Sequence, residues 1–140
     1  MIVHFEILEH PADMGTKATG ATLAEAFVNA AWGLFSVILQ RTGSPETLTT
    51  KRLALKGVDR EQLLVKWLSE LLYLYDAERF VPVTIDLQSL SEGTCVALVQ
   101  GELFDDRRHQ ALLDVKAITY HQLSIVERPQ ESTIIVFLDI

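Results

Sequence analysis

The sequence contains a single cysteine, Cys95, among its 140 residues. One thiol cannot form an internal disulfide, so nothing in the sequence requires an oxidising compartment. Cys95 lies in an alternating apolar stretch, which predicts a buried and unreactive thiol. The first ten residues also lack the basic region and the small-residue cleavage site of a signal peptide, and we therefore expect a cytoplasmic protein.

Long apolar runs and an excess of positive charge are missing as well. No apolar segment approaches the roughly 18–20 residues that cross a bilayer, so we expect no membrane association. Twelve Lys and Arg residues stand against nineteen Asp and Glu residues, which gives a formal net charge of −7. This balance argues against stable binding of RNA or DNA through phosphate neutralisation. Adjacent basic residues occur only at Lys51-Arg52 and Arg107-Arg108.

Common catalytic and nucleotide-binding motifs are absent from the sequence. The glycines fit neither the Walker pattern nor the dinucleotide pattern, and no serine lies in a nucleophile elbow. His10 and His121 have no zinc-ligand spacing to each other or to the cysteine. The residues alone therefore reveal no catalytic centre.

Apolar periodicity predicts an α+β fold. Two amphipathic helices are expected, the first capped by Thr22 with Glu25 and the second by Asp59 with Gln62. Strands are predicted at 2–9, 47–57, 80–88, 94–104, 115–126 and 132–138. We expect a single domain over residues 1–140, with two helices packed on a mostly antiparallel β-sheet.

The last predicted strand ends in Asp139 and the terminal carboxylate of Ile140. Strand alternation places Asp139 on the same face as Phe137. Two anionic groups beside an apolar segment favour a cation between them, and an all-oxygen site suits Ca²⁺ or Mg²⁺. Asp13, in the loop expected after the first strand, is a further candidate ligand if the two terminal strands lie side by side. The alternatives are an Asp13 that supports a turn and an Asp139 that is solvated at a frayed end.

Four segments, taken together, resemble the archeases, a family of small cytoplasmic proteins. They are "EHPADMG", "GATLAEAFVNAAWGLF", "VKAITYHQLSI" and the terminal "VFLDI", and the helical segment "LLVKWLSELLYL" matches too. The resemblance covers nearly the whole chain and implies an archease-like α+β fold. Each segment is weak alone, and their occurrence together in this order carries the resemblance.

The resemblance also implies a function. It implies an accessory protein, not itself an enzyme, that activates an RtcB-type RNA ligase in tRNA splicing and RNA repair by promoting guanylylation of the ligase histidine and multiple turnover. It implies a divalent metal, Ca²⁺ first and Mg²⁺ or Mn²⁺ otherwise, held by Asp13, Asp139 and the main-chain oxygens of Ile140. It further implies that Lys116 is needed for ligase activation. Pro11 stands where the family usually has threonine, which removes one main-chain donor and fixes φ near this loop.

Two other functions stay open on the residues alone. One is a chaperone-like protein-interaction module, in which the carboxylates are incidental. The other is a metal-dependent phosphoester hydrolase that uses Asp13 and Asp139, although no general base with a clear role is visible. For Lys116 the alternative is structural, because a lysine that shares a strand face with Ile118 and Tyr120 can cover apolar surface with its stem.

Overall fold

The structure is a computed structural model that describes residues 4–9, 13–46 and 48–140. No helix within these ranges has the length and apolar character needed to cross a membrane. In chain order the elements are β1 (His4–Glu9), β2 (Asp13–Gly20), α1 (Leu23–Ile38), β3 (Leu39–Arg41), β4 (Thr49–Lys56), α2 (Arg60–Glu78), β5 (Phe80–Leu90), β6 (Thr94–Leu103), β7 (His109–Ala111), β8 (Ala117–Ile118), β9 (Ser124–Glu127) and β10 (Ser132–Asp139).

The strand pairings of the described residues are all antiparallel. The five-stranded sheet has the order β1-β2-β10-β8, with β9 also paired to β10, and the others are β4-β6-β5 and β3-β7. Helix α1 contacts β1, β2 and β10, whereas α2 contacts β4, β5 and β6 as well as β8 and β9. The predicted α+β class with two helices and antiparallel strands is confirmed, but the strands are divided among three sheets.

Both helices begin at their predicted caps. Thr22 Oγ1 accepts a hydrogen bond from the Glu25 main-chain N at 3.1 Å, and Asp59 Oδ1 accepts one from the Gln62 main-chain N at 2.8 Å. The side chains of Glu25 and Gln62 in turn accept main-chain N–H groups from the residues that precede the caps. Because these N–H groups have no partner inside a helix, the four polar residues define where each helix starts.

The core lies where the helices meet each other and the sheets. Trp67 of α2 is fully buried and donates its indole N–H to the main-chain oxygen of Phe27 in α1 at 3.0 Å. Cys95 of β6 is buried as predicted, and burial raises the pKa of its thiol to about 11. The fully buried large side chains also include Leu34, Ile38, Leu63, Leu64, Leu68, Leu71, Ile134 and Leu138.

The prediction of a loop at Asp13 was wrong, because Asp13 is the first residue of strand β2. This strand lies between β1 and β10, so the two terminal strands are not neighbours. The sequence of β2, "DMGTKATG", is made mainly of small and polar residues and shows little apolar alternation. Thr16 and Ala18 are nevertheless buried, since the packing of the sheet, and not their own hydrophobicity, decides their position.

The prediction of one strand over 115–126 was also wrong. The segment forms two short strands, β8 and β9, separated by a turn in which Leu123 donates its main-chain N–H to Tyr120 at 3.2 Å. Gln122 adopts a left-handed conformation there, with φ of 52°. Lys116 precedes β8, so its expected face-sharing with Ile118 and Tyr120 does not hold: Ile118 is buried, while Lys116 and Tyr120 are exposed.

Candidate functional site

The pairing of β2 with β10 places Asp13 directly opposite Asp139. Directly opposed residues on antiparallel strands project from the same face, with Cβ atoms about 4.5–5.5 Å apart. On the other side of β10, Asp139 pairs with Ala117 of β8. The end of β10 is therefore enclosed by two strands, and an unbroken register from Ser132 onward fixes the two aspartates as neighbours.

Lys116 joins this corner through its main chain. Its N–H donates to the main-chain oxygen of Asp139 at 2.7 Å, while its side chain is exposed. Ile140 follows directly at the chain end and is 37% exposed. The residues singled out in the sequence therefore lie together where β10 ends, although β2, and not a loop, carries Asp13.

The environment of Asp13 suits a hard cation. Its Oδ1 is buried, and no hydrogen-bond donor from the described residues reaches it. A buried carboxylate oxygen without a partner is costly, and oxygen ligands of this kind are those that Ca²⁺ and Mg²⁺ prefer. Three or more His, Cys, Asp or Glu side chains do not come together in a metal-binding group within the described ranges. The main-chain oxygens of Ile140, which the resemblance implies as ligands, belong to the residue that follows Asp139.

Phe137 and Thr119, for which the sequence indicated no role, hold the end of β10 in place. Phe137 lies opposite Gly15 of β2, and its ring occupies the space that a side chain at Gly15 would need. Thr119 donates both its N–H and its hydroxyl to the main-chain oxygen of Phe137, at 3.0 and 2.9 Å. The His121 ring packs edge-on against the Phe137 ring at 6.0 Å. These contacts anchor β10 two residues before Asp139.

A second charged cluster lies around the connection from β6 to β7. Glu102, which is 3% exposed, accepts hydrogen bonds from Arg108 at 2.6 Å and from His109 at 3.0 Å if the tautomer places the proton on Nε2. Arg108 also lies 3.1 Å from the carboxylate of Glu46, and Arg107 is bound by a neighbouring aspartate. Both adjacent arginines are thus paired with carboxylates.

The comparisons with known sequences agree with one another. A model of the Archease protein family (MTH1598/TM1083) matches residues 5–140. The chain is 42% identical over 135 residues to protein archease of Saccharolobus solfataricus, covering 96% of each chain. It is 38% identical over 125 residues to protein archease of Methanosarcina acetivorans, covering 86% of this chain and 85% of that one.

Solved structures share the fold. The solution structure of Methanobacterium thermoautotrophicum protein 1598 superposes with a TM-score of 0.71 at 28% identity, covering 99% of this chain and 100% of that one. The crystal structure of an archease from Thermotoga maritima, described as a possible chaperone, gives a TM-score of 0.64 at 18% identity, covering 95% and 94% of the two chains. With a family model spanning almost its full length and curated relatives at 38–42% identity, this chain belongs to the archease family.

Proposed function

We propose that this chain is an accessory protein that activates an RtcB-type RNA ligase, promoting guanylylation of the ligase histidine and multiple turnover. The activity would depend on a divalent-metal-binding acidic cluster formed by Asp13, Asp139 and Ile140. The observation that carries the proposal is the direct pairing of Asp13 with Asp139, with a buried Asp13 oxygen that has no partner in the described part of the chain. Membership of the archease family supports it, because the ligase role is what the sequence resemblance implies.

The acidic cluster and Lys116 have different roles in this proposal. The two aspartates and the chain end would hold the cation, which supplies positive charge for phosphate oxygens when it is bound. Lys116, whose main-chain N–H donates to Asp139, has an exposed side chain with a flexible ammonium group, suited to a phosphate as a point charge. Phosphoryl transfer depends mainly on positioning and charge neutralisation. The chain can therefore assist the reaction of a partner without contributing a nucleophile of its own.

The net charge of the chain supports a protein partner with a basic surface. A formal charge of −7 complements a ligase cleft that binds RNA and nucleotide. The direct test is a ligation assay with the cognate ligase and an excess of RNA, with and without this protein. We expect each ligase molecule to turn over repeatedly only when the protein is present. An unchanged number of turnovers would contradict the proposal.

The role of the acidic cluster is tested by Asp139→Asn, which keeps the size of the side chain and removes its charge. We expect at least a tenfold loss of stimulation, because a neutral amide binds a hard cation more weakly than a carboxylate does. Asp139 is exposed, so the variant should fold normally. The matched control is Asp86→Asn on β5, another exposed aspartate, which should leave stimulation unchanged. Full stimulation by the Asp139 variant would reject the cluster but not the accessory role.

Two measurements separate this proposal from its alternatives. Calorimetric titration with Ca²⁺, Mg²⁺ and Mn²⁺ reports whether cation binding depends on Asp13 and Asp139. Absence of carboxylate-dependent binding would favour a chaperone-like interaction module, a description that the Thermotoga maritima protein carries. Metal-dependent release of product from simple phosphoesters by the isolated protein would instead favour a hydrolase.

A further inference from the structure

A groove of about 440 Å³ runs between α2 and β8, on the strand that borders Asp139. Leu72 and Ile118, both buried, contribute apolar surface to it. Tyr73, Asp76 and Lys116 also line it, and all three are exposed. The groove therefore combines an apolar floor with an aromatic ring, an anion and a cation.

The groove is continuous with the candidate metal centre through β8. Ala117 lines the groove and pairs with Asp139, and the neighbouring Lys116 N–H donates to the Asp139 main-chain oxygen at 2.7 Å. Side chains alternate along β10 and β8, so Asp139 and Ala117 project to the face of the sheet opposite that of Leu138 and Ile118, and only the main chain of β8 connects the groove to the candidate metal centre. A ligand that combines an aromatic or apolar part with a phosphate suits the lining of the groove.

The α2 side of the groove has the chemistry to bind a nucleobase. Tyr73 is 59% exposed and offers a flat aromatic surface, on which any base can stack. Asp76 follows three residues later, so the two side chains lie on the same face of α2. An ionised carboxylate only accepts hydrogen bonds, and it accepts two from a pair of adjacent donors.

Among the common bases, guanine alone presents two adjacent donors, N1–H and the N2 amine, on its Watson–Crick edge. Adenine and cytosine place an acceptor beside their amine, and uracil has carbonyl oxygens on both sides of its N–H. A carboxylate that lines the same groove as a stacking tyrosine therefore favours guanine over the other common bases. An ammonium group such as that of Lys116 is a common partner for a phosphate.

We infer that the α2–β8 groove is a binding site for a guanine mononucleotide, with the base on Tyr73, its donor edge at Asp76 and its phosphate at Lys116. This inference deepens the proposed function and rests on it for the origin of the ligand, since guanylylation consumes a guanine nucleotide. The groove would hold that nucleotide with its phosphate at Lys116, whose main-chain N–H donates to the main-chain oxygen of Asp139.

The test compares GMP, IMP and AMP, which carry the same single phosphate and differ at the base edge. Binding to the intact protein is measured by calorimetry and by two-dimensional NMR. We expect affinity to fall from GMP to IMP, which lacks the N2 amine, and again to AMP, which offers an acceptor at N1. Shift changes should be concentrated around Tyr73, Asp76 and residues 116–118. Equal affinity for GMP and AMP, no saturation at millimolar concentrations, or shift changes at another surface would overturn the inference.

Two variants test the assigned contacts. Asp76→Asn should bring the GMP and AMP affinities close together, because an amide both donates and accepts, whereas Asp86→Asn should keep the preference for GMP. Tyr73→Ala should weaken both nucleotides about 5- to 150-fold, which corresponds to stacking of about 1–3 kcal/mol per base. The replaced side chains are exposed, and thermal unfolding verifies that each variant is folded. An Asp76 variant that keeps the full GMP preference would refute the assignment of the base edge.

The ligation assay separates this inference from the proposed function. Stimulation of the ligase by a protein that binds no GMP would leave the accessory role standing and overturn the groove as a nucleotide site. Selective GMP binding without any stimulation would support the groove as a nucleotide site and would contradict the accessory role.

Discussion

At the residue scale, the absence of a side chain at Gly15 leaves the space on β2 that the Phe137 ring of β10 occupies. A Cβ atom at Gly15 would lie 2.7 Å from Cε1 of Phe137, which is closer than carbon atoms pack. We expect Gly15→Ala to displace the Phe137 ring and to lower the free energy of unfolding by about 1–3 kcal/mol, as overpacking does. Urea denaturation followed by circular dichroism measures the change.

The control for this substitution is Gly43→Ala in the connection that follows β3. The nearest atom to a Cβ there is Cγ of Arg108 at 3.6 Å, an ordinary contact. No described glycine has a positive φ, so neither substitution strains the backbone by conformation. Equal denaturation midpoints for the two variants would show that Phe137 yields without cost and that the Gly15 contact is not restrictive.

The low reactivity expected of the Cys95 thiol follows from its burial, which its alternating apolar context predicted. Burial raises the pKa of its thiol to about 11, compared with about 8.5 for a thiol in an unfolded chain. The raised pKa means that this group favours folding fully below about pH 8.5 and that its contribution is lost as the pH rises towards 11. We therefore expect iodoacetamide at pH 9 to alkylate the unfolded chain rapidly and the native protein only at its unfolding rate. Rapid alkylation of the native protein would contradict a buried thiol.

At the element scale, local sequence signals predicted the helices better than the strands. The caps at Thr22 and Asp59 are short-range hydrogen-bond patterns, so they can be recognised without knowledge of the fold. Strand β2 carries no such signal, because its "DMGTKATG" sequence becomes buried only when β1 and β10 flank it. For a similar reason, β8 and β9 were predicted as one strand over 115–126. The turn between them depends on Gln122 in a left-handed conformation, and no glycine or proline marks it in the sequence.

The connection from β6 to β7 depends on one of two adjacent arginines. Arg108 binds the buried carboxylate of Glu102, whereas the Arg107 side chain is 81% exposed. Removing one partner of a buried ion pair leaves an uncompensated charge, so we expect Arg108→Ala to lower the free energy of unfolding by about 3–5 kcal/mol. Arg107→Ala should change it little, because exposed pairs contribute weakly. Similar destabilisation by both variants in urea denaturation would contradict this difference.

The sequence contains a signal for this cluster of Glu102, Arg108 and His109. Glu102 lies near the end of an apolar strand and is followed closely by "DDRRH", a segment rich in charged residues. A single acidic residue in an apolar strand suggests a buried partner, but the sequence does not say which neighbour provides it. Only the folded chain shows that Arg108 and His109 both turn back to Glu102.

At the scale of the whole molecule, the candidate site is a product of long-range pairing. Asp13 and Asp139 stand near opposite ends of the chain, and the local sequence around each contains no pattern that links them. The family resemblance implied that both aspartates are metal ligands. The antiparallel register of β2 and β10 supplies a physical reason for their proximity. The α2–β8 groove had no signal in the sequence, because Tyr73 and Asp76 look like ordinary surface positions of an amphipathic helix.

If Asp13 and Asp139 hold a cation, cation binding should increase the stability of the whole fold. Asp13 and Asp139 become neighbours only when β2 and β10 pair, so a cation that needs both binds the folded state and not the unfolded chain. Ca²⁺ at 100 times its dissociation constant should then raise the free energy of unfolding by about 2.7 kcal/mol, and chelation with EDTA should reverse the gain. Asp139→Asn should abolish this stabilisation. Lys116→Ala should preserve it, because Lys116 contacts Asp139 through its main chain. Calcium stabilisation of equal size in the Asp139 variant would place the cation elsewhere on the protein.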